Sequence, residues 1–145
     1  MYQHILIPTD GSELAEHAVT HGLSLAKSVG AKVTVIIVEE PWPPFAVGPA
    51  ALVPLGTYAE EMKKLAASAL NRAANAAKQA DVSCNTLQVG DAPPPYQAII
   101  ATATDKGCDL IVMASHGRSG LSAIVLGSVT NKVLTNTKTP VLVCR

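Results

Sequence analysis

The sequence predicts an α/β protein of three layers, in which a five-stranded, mostly parallel sheet lies between two layers of helices. Short apolar segments rich in β-branched residues recur along the chain and are bounded by glycine, proline or charged residues. Segments with the apolar spacing of helices separate them, so that the order of elements is β-α-β-loop-α-β-α-β-α-β. This alternation is typical of a parallel sheet with right-handed crossovers and helices on both faces.

The strand predictions depend on how the apolar residues are distributed. Four segments are apolar without polar alternation, which is typical of parallel strands that helices cover on both faces. A fifth, residues 82–89, is more polar and partly alternating, as expected at the edge of a sheet. The four apolar segments are residues 5–7, 33–38, 110–113 and 141–143.

Four helices are predicted between these strands. The first begins after the capping residue Ser12 and ends at Gly30. A long alanine-rich helix covers 58–80, a third covers 96–106 before Gly107, and the last begins at Gly127 and Ser128. The residues predicted to face the sheet are Leu14, Ala18, Gly22, Leu25 and Val29 in the first helix, Met62, Leu65, Ala66, Ala69, Ala73, Ala76 and Ala77 in the second, and Val129 and Val133 in the last.

Residues 41–57 are predicted to form a long loop, because five prolines and two glycines interrupt any regular element there. Loops of this length in compact domains are usually functional or mobile, and an insertion without function fits equally well.

Composition limits the function classes. The chain of 145 residues, with 48% hydrophobic and 15% charged residues, fits one domain covering 1–145. Lys+Arg and Asp+Glu both number 11, so the sequence lacks the basic surface that binds nucleic acid or anionic membranes. Cys84, Cys108 and Cys144 form no C-x-x-C pattern, and no signal-peptide core or long apolar run is found, so we expect free thiols and a cytoplasmic protein.

Two segments at the ends of strands are candidates for a ligand site. In parallel sheets, ligands bind beyond the carboxyl ends of the strands, where the strand order reverses. Residues 8–12 follow the first strand, and residues 114–120, rich in glycine and hydroxyl groups, follow the fourth and lead to the helix start at 127–130.

The helix start favours an anion, because its backbone N–H groups have no partner within the helix. Gly117 and Gly127 would let the backbone approach a phosphate, Ser128 and Thr130 would add hydroxyl donors, and Arg118 a charge. An ordinary loop with a serine cap accounts for the same residues equally well. Neither G-x-x-x-x-G-K-[ST] nor G-x-G-x-x-G occurs, which disfavours a P-loop NTPase and a standard dinucleotide-binding protein.

The opening HILIPTDGS, the segment DLIVMASHGRSGLSAIVLGSVTNKVL and the ending PVLVCR resemble the universal stress protein family over essentially the whole chain. The resemblance implies a Rossmann-like fold with strand order 3-2-1-4-5 that binds adenine nucleotides. The pattern G-x2-G-x9-G-[ST] of the nucleotide-binding branch maps to Ala114, Gly117, Gly127 and Ser128, with alanine replacing the first glycine.

The resemblance also implies individual roles. Asp10 would lie near the ribose or a phosphate-bound Mg²⁺, Val38 would hold the adenine edge through its backbone, and Met113 would help to cover the base and sugar. Alternatively, Asp10 makes an Asx turn or cap, while Val38 and Met113 are core residues at strand ends. The residues implied to surround ATP, or AMP or ADP, are Pro8, Thr9, Asp10, Val38, Met113, Ala114, Ser115, His116, Gly117, Arg118, Gly127, Ser128, Val129 and Thr130.

Several functions stay open at this point. The leading one is a nucleotide-dependent stress-response or signalling module with little or no catalysis. A stress-response protein that binds no nucleotide is the alternative that Ala114 favours, and a slow ATPase or autophosphorylating protein is another. A synthetase or pyrophosphatase is disfavoured by the small size of the chain.

The remaining expectations concern metals, the long loop and assembly. His17 and His21, one turn apart on the first helix, could hold a transition metal with Glu13, but a solvated polar face accounts for them better, and no metal site is predicted there. Residues 41–57 could close over a bound nucleotide. The resemblance implies a homodimer formed through the last strand, by Val141, Leu142 and Val143, because an apolar edge strand needs a partner.

Overall fold

The computed structural model of the chain describes residues 1–39, 55–90, 93–117 and 125–145. The order of helices and strands in these ranges is the one that the sequence predicts. The elements are β1 (His4–Pro8), α1 (Glu13–Val29), β2 (Lys32–Val38), α2 (Leu55–Gln79), β3 (Cys84–Val89), α3 (Pro95–Asp105), β4 (Leu110–Ala114), α4 (Ser128–Asn136) and β5 (Val141–Cys144).

The sheet has five strands in the order β3-β2-β1-β4-β5, and every neighbouring pair is parallel. The predicted fold class and strand order are therefore confirmed. The partly polar strand β3 lies at one edge, as its alternating sequence predicts, and β5 lies at the other.

The two central strands β1 and β4 separate before they end. All five residues of β1 pair with β2, whereas β1 pairs with β4 at two positions, Ile5 with Leu110 and Leu6 with Ile111. β4 nevertheless stays paired with β5 up to Ala114. A crevice therefore opens between the carboxyl ends of β1 and β4, at the point where the strand order reverses.

Helices cover both faces of the sheet, which explains why the central strands show no alternation of apolar and polar residues. Side chains of successive strand residues point to opposite faces. Accordingly, Ile5 and Ile7 pack with residues of α1 and α2, and Leu6 packs with residues of α3 and α4.

Helix α1 begins and ends as predicted, but its buried face differs. The Ser12 hydroxyl accepts the Ala15 N–H at 3.3 Å, and Gly30 ends the helix with a left-handed φ of 73°. Val29, predicted to be buried, is 37% exposed, and Leu14 and Leu25 are half-buried. The buried positions are mostly small, namely Ala15, Ala18, Val19, Gly22, Leu23 and Ala26.

Small residues face the sheet because the helix lies very close to it. A methyl group added at Gly22 would overlap the Cδ1 of Ile7. The prediction was therefore right at Ala18 and Gly22, and wrong at the larger residues, which lie on the flank of the contact face.

Helix α2 begins at Leu55, so residues 55–57 of the predicted loop are helical, and residues 41–54 lie outside the described ranges. Leu65 was wrongly assigned to the core, since it is 47% exposed. Met62 and Ala76 are half-buried. The buried residues follow one helical stripe and include Leu70, which the prediction missed; they are Ala66, Ala69, Leu70, Ala73 and Ala77.

The other predictions for the fold concern α4, the cysteines and the membrane. In α4, Val133 is fully buried and Val129 half-buried.

Cys84, Cys108 and Cys144 are free, as predicted. Burial raises the pKa of all three thiols, to about 11 for Cys108, so they remain protonated and weakly nucleophilic. Among the described residues, no helix is long and apolar enough to cross a membrane.

His4, at the start of β1, is a buried polar residue that the sequence analysis did not single out. Its Nδ1 lies 3.1 Å from the Lys106 carbonyl oxygen, and its Nε2 lies 2.8 Å from Thr34 Oγ1. Because a carbonyl can only accept, Nδ1 carries the proton, and Nε2 accepts the Thr34 hydroxyl proton. Burial, and then the charge of Lys32, lower the pKa of His4, although nearby Asp109 raises it. The ring is therefore neutral in the folded protein near neutral pH.

We predict that mild acid destabilises the protein through His4. The unfolded chain takes up a proton at His4 more readily than the folded chain, so the contribution of His4 to the free energy of unfolding is complete above about pH 6.5. That contribution is lost as the pH falls from this value towards the lower pKa of the folded state.

Urea unfolding at a series of pH values checks this prediction. The variant His4→Gln should show a smaller loss of stability over this interval than the wild type, and His17→Gln, the same change on the exposed face of α1, should keep the loss. Equal pH dependence in His4→Gln and the wild type would show that His4 is not responsible.

Candidate functional site

The end of β1 is a turn that leads directly into α1. Pro8, the last residue of β1, pairs with Ile36, and the buried Thr9 donates its N–H to the Ile36 carbonyl at 2.8 Å. The Thr9 hydroxyl accepts the Gly11 N–H at 3.1 Å. Asp10 Oδ1 accepts the Ser12 N–H at 2.9 Å. The predicted Asx turn at Asp10 is therefore present, and it fixes the carboxylate at the mouth of the crevice.

The end of β4 is held by β5. The buried Ser115 donates its N–H to the Cys144 carbonyl at 2.7 Å, which extends the ladder one residue beyond Ala114. The Ser115 hydroxyl lies 3.0 Å from His116 Nδ1. The loop therefore leaves β4 from a fixed position, with the His116 ring hydrogen-bonded to its neighbour.

The turn after β1 and the loop after β4 meet at Gly117. A methyl group added there would overlap Asp10 Oδ2. The two segments thus lie at the same edge of the sheet, as the sequence predicts, and the carboxylate of Asp10 fills the space in which a side chain at residue 117 would lie.

Gly127 brings the start of α4 against the same loop. Its N–H donates to the Ser115 carbonyl at 2.7 Å, and a Cβ at this position would lie 2.9 Å from His116 Cα. The small size of Gly117 and Gly127 is thus explained by protein atoms packed against them, whereas the sequence analysis attributed it to the approach of a phosphate.

Helix α4 begins without a side-chain cap. Gly127 is the capping residue and has no side chain to bond to the first turn, so Ser128 is the first helical residue and not the cap of the alternative interpretation. The N–H groups of Ser128, Val129 and Thr130 have no acceptor within the helix. The start of α4 therefore presents backbone donors and the positive end of the helix dipole.

The backbone of Val38 is also directed to this crevice. Lys32 donates its N–H to Gln3, just before β1, while Val33 donates to Ser83, just before β3. Because successive residues of a strand point their backbone groups to opposite sides, even-numbered residues of β2 face β1. Val38 therefore presents its N–H and C=O on the β1 side, beyond the bond between Thr9 and Ile36.

The structure brings most of the predicted site residues to one place, with exceptions. Met113 is buried in the core under α3 and α4, and Val38 packs against the same cluster through its side chain. Arg118 lies outside the described ranges.

Two residues at the crevice were not predicted. Gly11, whose φ of 77° requires a residue without a side chain, completes the turn after β1. The pair Asp-Gly in the sequence could have indicated this turn. The role of the Cys144 carbonyl has no sequence signal, because every residue has a backbone carbonyl.

The two histidines that were considered as metal ligands lie away from the crevice. His17 and His21 are exposed on α1. In the part of the chain that the structure describes, no group of three or more His, Cys, Asp or Glu residues is arranged to hold a metal ion. The carboxylate of Asp10 lies at the crevice, and a single carboxylate together with ligand phosphates is a common arrangement around Mg²⁺.

Comparison with known proteins identifies relatives over the full length. The model of the universal stress protein family matches residues 1–145. Two universal stress proteins of Methanocaldococcus jannaschii align with the whole chain: one is 34% identical over 145 residues, which are 83% of its length, and the other is 33% identical over 156 residues, which are 96% of its length. A crystal structure of a universal stress protein in complex with cAMP has a TM-score of 0.69 and 25% identity, covering 98% of this chain and 95% of that one.

We predict that Gly117 and Asp10 are energetically coupled. Replacing Gly117 by alanine should destabilise the protein by about 1–3 kcal/mol, the usual cost of overpacking. In the Asp10→Ala background the same change should be neutral or stabilising by up to about 1 kcal/mol, because the φ of Gly117 is one that alanine can adopt.

Urea unfolding of the two single variants and the double variant, without ligand, measures the coupling. Gly90→Ala is the matched control, since a Cβ at Gly90 meets no described atom within 4 Å, and its effect should be the same with and without Asp10. Additive effects of Gly117→Ala and Asp10→Ala would show that the contact does not account for the glycine.

Proposed function

Because this chain belongs to the universal stress protein family, we propose that it binds an adenine nucleotide, foremost ATP, in the crevice between β1 and β4. The observation that carries this proposal is the convergence of Asp10, Gly117 and Gly127 with the uncapped start of α4 at the point where β1 and β4 separate. The related protein that binds cAMP supports adenine nucleotides as the ligand class.

The adenine end of the ligand would lie near Val38. The N–H and C=O of Val38 face the β1 side of β2, beyond the last pairing of β1. A donor and an acceptor in this arrangement match the donor and acceptor on the Watson–Crick edge of adenine. Thr9 and Pro8 would line the adenosine on the side of β1.

The phosphates would bind at the start of α4. The N–H groups of Ser128 and Val129 and the hydroxyl of Ser128, which is exposed, would donate to the phosphate oxygens. His116 would contribute a ring N–H from the facing loop, and Arg118 a charged contact. Asp10 would hold Mg²⁺ together with the phosphates, since Mg²⁺ prefers oxygen ligands of this kind.

Ala114, where the family pattern has glycine, bears on the alternative of a protein that binds no nucleotide. Its side chain is 8% exposed, and by alternation along β4 it points to the same face as Val112, which packs among residues of α1 and α2. The additional methyl group is therefore packed inside the protein, which favours retention of the nucleotide site.

The proposed role is that of a nucleotide-dependent stress-response or signalling module with little or no catalysis. Phosphoryl transfer requires a base or a positioned water in line with the γ-phosphate. Asp10, the carboxylate that we place at the phosphates, is already engaged by the Ser12 N–H and packed against Gly117. Repeated release of phosphate or ADP within minutes would contradict a binding module and indicate an ATPase.

Calorimetric titration with ATP, ADP and AMP in magnesium buffer tests the proposal, together with extraction of nucleotide from the purified protein. The wild type should bind at micromolar concentrations. Gly127→Ala should weaken binding about tenfold or more, because the added Cβ pushes the loop at His116 away from α4. Gly90→Ala, in open space, should bind as the wild type does. Lack of binding by the wild type would refute the proposal and favour an interaction protein that uses no nucleotide.

We further propose a homodimer in which the β5 strands of two copies meet. β5 is an edge strand, and Leu142 is an exposed large apolar residue on it. The carbonyls of Pro140 and Cys144 accept bonds from β4, so Val141 and Val143 direct their backbone groups away from the sheet. These groups are available to a second strand.

If the protein is a dimer, light scattering or sedimentation at micromolar concentration should show a particle of twice 15.0 kDa. Val143→Pro removes an outward N–H while leaving the bonds to β4, and should give a monomer. Val143→Ala keeps the N–H and should remain a dimer. A wild-type particle of 15.0 kDa, or a folded Val143→Pro variant that is still dimeric, would refute this interface.

A further inference from the structure

Thr130 is a buried hydroxyl residue in the first turn of α4 whose partner is the end of β4. Its side chain is 3% exposed, and its Oγ1 donates to the Ala114 carbonyl at 2.8 Å. A hydroxyl has one proton to donate. Thr130 therefore has no proton left for a phosphate, in contrast to the role that the sequence analysis gave it.

The Ala114 carbonyl needs this partner because of the way in which β1 and β4 separate. Ile111 donates its N–H to Pro140, just before β5, and Ser115 donates its N–H to Cys144 in β5. Because successive residues of a strand point their backbone groups to opposite sides, Ala114 directs its carbonyl to the side of β1. β1 pairs with β4 no further than Leu6 and Ile111. Without the Thr130 hydroxyl, this carbonyl would be a buried acceptor outside the ladder.

A second hydrogen bond joins the same two elements. The Gly127 N–H donates to the Ser115 carbonyl at 2.7 Å, and Gly127 packs against His116. The start of α4 is thus fixed to the end of β4 on both sides of its first residues, Ser128 and Val129. The orientation of their N–H groups relative to the crevice depends on both bonds.

We propose that Thr130 is a positioning residue for phosphate recognition, which acts by fixing the first turn of α4 to the Ala114 carbonyl. This role rests on the proposed function, since it concerns the phosphates of the same nucleotide. Thr130 should therefore affect the affinity for the phosphates of the nucleotide and leave the affinity for its adenosine moiety unchanged.

Titrations with ATP and with adenosine test this separation. Thr130→Val, which has nearly the same shape without the hydroxyl, should weaken ATP binding by about threefold to tenfold, the loss expected for one hydrogen bond, and leave adenosine binding unchanged. Thr130→Ser keeps the hydroxyl and should restore ATP binding. Thr102→Val is the matched control, because Thr102 is also buried and donates to a carbonyl within α3, that of Ala98, at 2.7 Å; it should alter neither affinity.

The outcomes are distinct. Equal weakening of ATP and adenosine binding by Thr130→Val, or no weakening of either, would overturn the positioning role while the proposed function stands. Absence of binding to the wild type would remove both. Thermal melts of each variant report whether it folds. If Thr130→Val does not fold, hydrogen exchange in the wild type decides: ATP, but not adenosine, should protect the amides of residues 128–130, and equal protection by both ligands would overturn the role.

Discussion

The early separation of β1 from β4 is the constraint on which the site depends. β1 and β4 lie side by side in the sheet, but the chain continues from β1 to β2 on one side and from β4 to β5 on the other. Their pairing ends at Leu6 and Ile111, while each strand continues along its outer neighbour. The separation creates the crevice and also leaves strand-end backbone groups that other parts of the chain must satisfy. The Ala114 carbonyl is such a group, and the Thr130 hydroxyl satisfies it.

The described residues at the mouth of the crevice pack against one another. Asp10 fills the space beside Gly117, the backbone of His116 fills the space beside Gly127, and Thr130 reaches Ala114. Each contact joins segments that are distant in sequence, so the geometry of the site is set by the folded protein before any ligand binds. Preorganised donors are more effective than mobile ones, because binding then costs less ordering of the loops. In this chain, Gly117 and Gly127 accordingly lie where neighbouring protein atoms leave no room for a side chain.

The sequence was sufficient to predict the fold and the strand ends at which the candidate site lies. Short apolar segments identified β1, β2, β4 and β5. In the inner strands β1, β2 and β4 the reason is that strands covered on both faces show no polar alternation. The face of α1 was predicted correctly at Ala18 and Gly22. It was wrong at Leu14, Leu25 and Val29, because the close contact of α1 with the sheet favours small residues over large apolar ones. His4 was missed because its partners, Thr34 and Lys106, are brought to it by the fold alone. The role of Thr130 was misassigned because a hydroxyl at a helix start suits a ligand and a carbonyl equally well, and sequence does not distinguish them.

The central claim is that the crevice between β1 and β4 is a nucleotide site built from backbone donors. Amide NMR spectra of the wild-type protein, recorded while ATP and magnesium are added, test it most directly. If ATP binds in this crevice, the largest changes should occur at the amides of Val38, Asp10, Ser128 and Val129. Spectra that do not change, or changes confined to the exposed face of α1 or to β5, would contradict it.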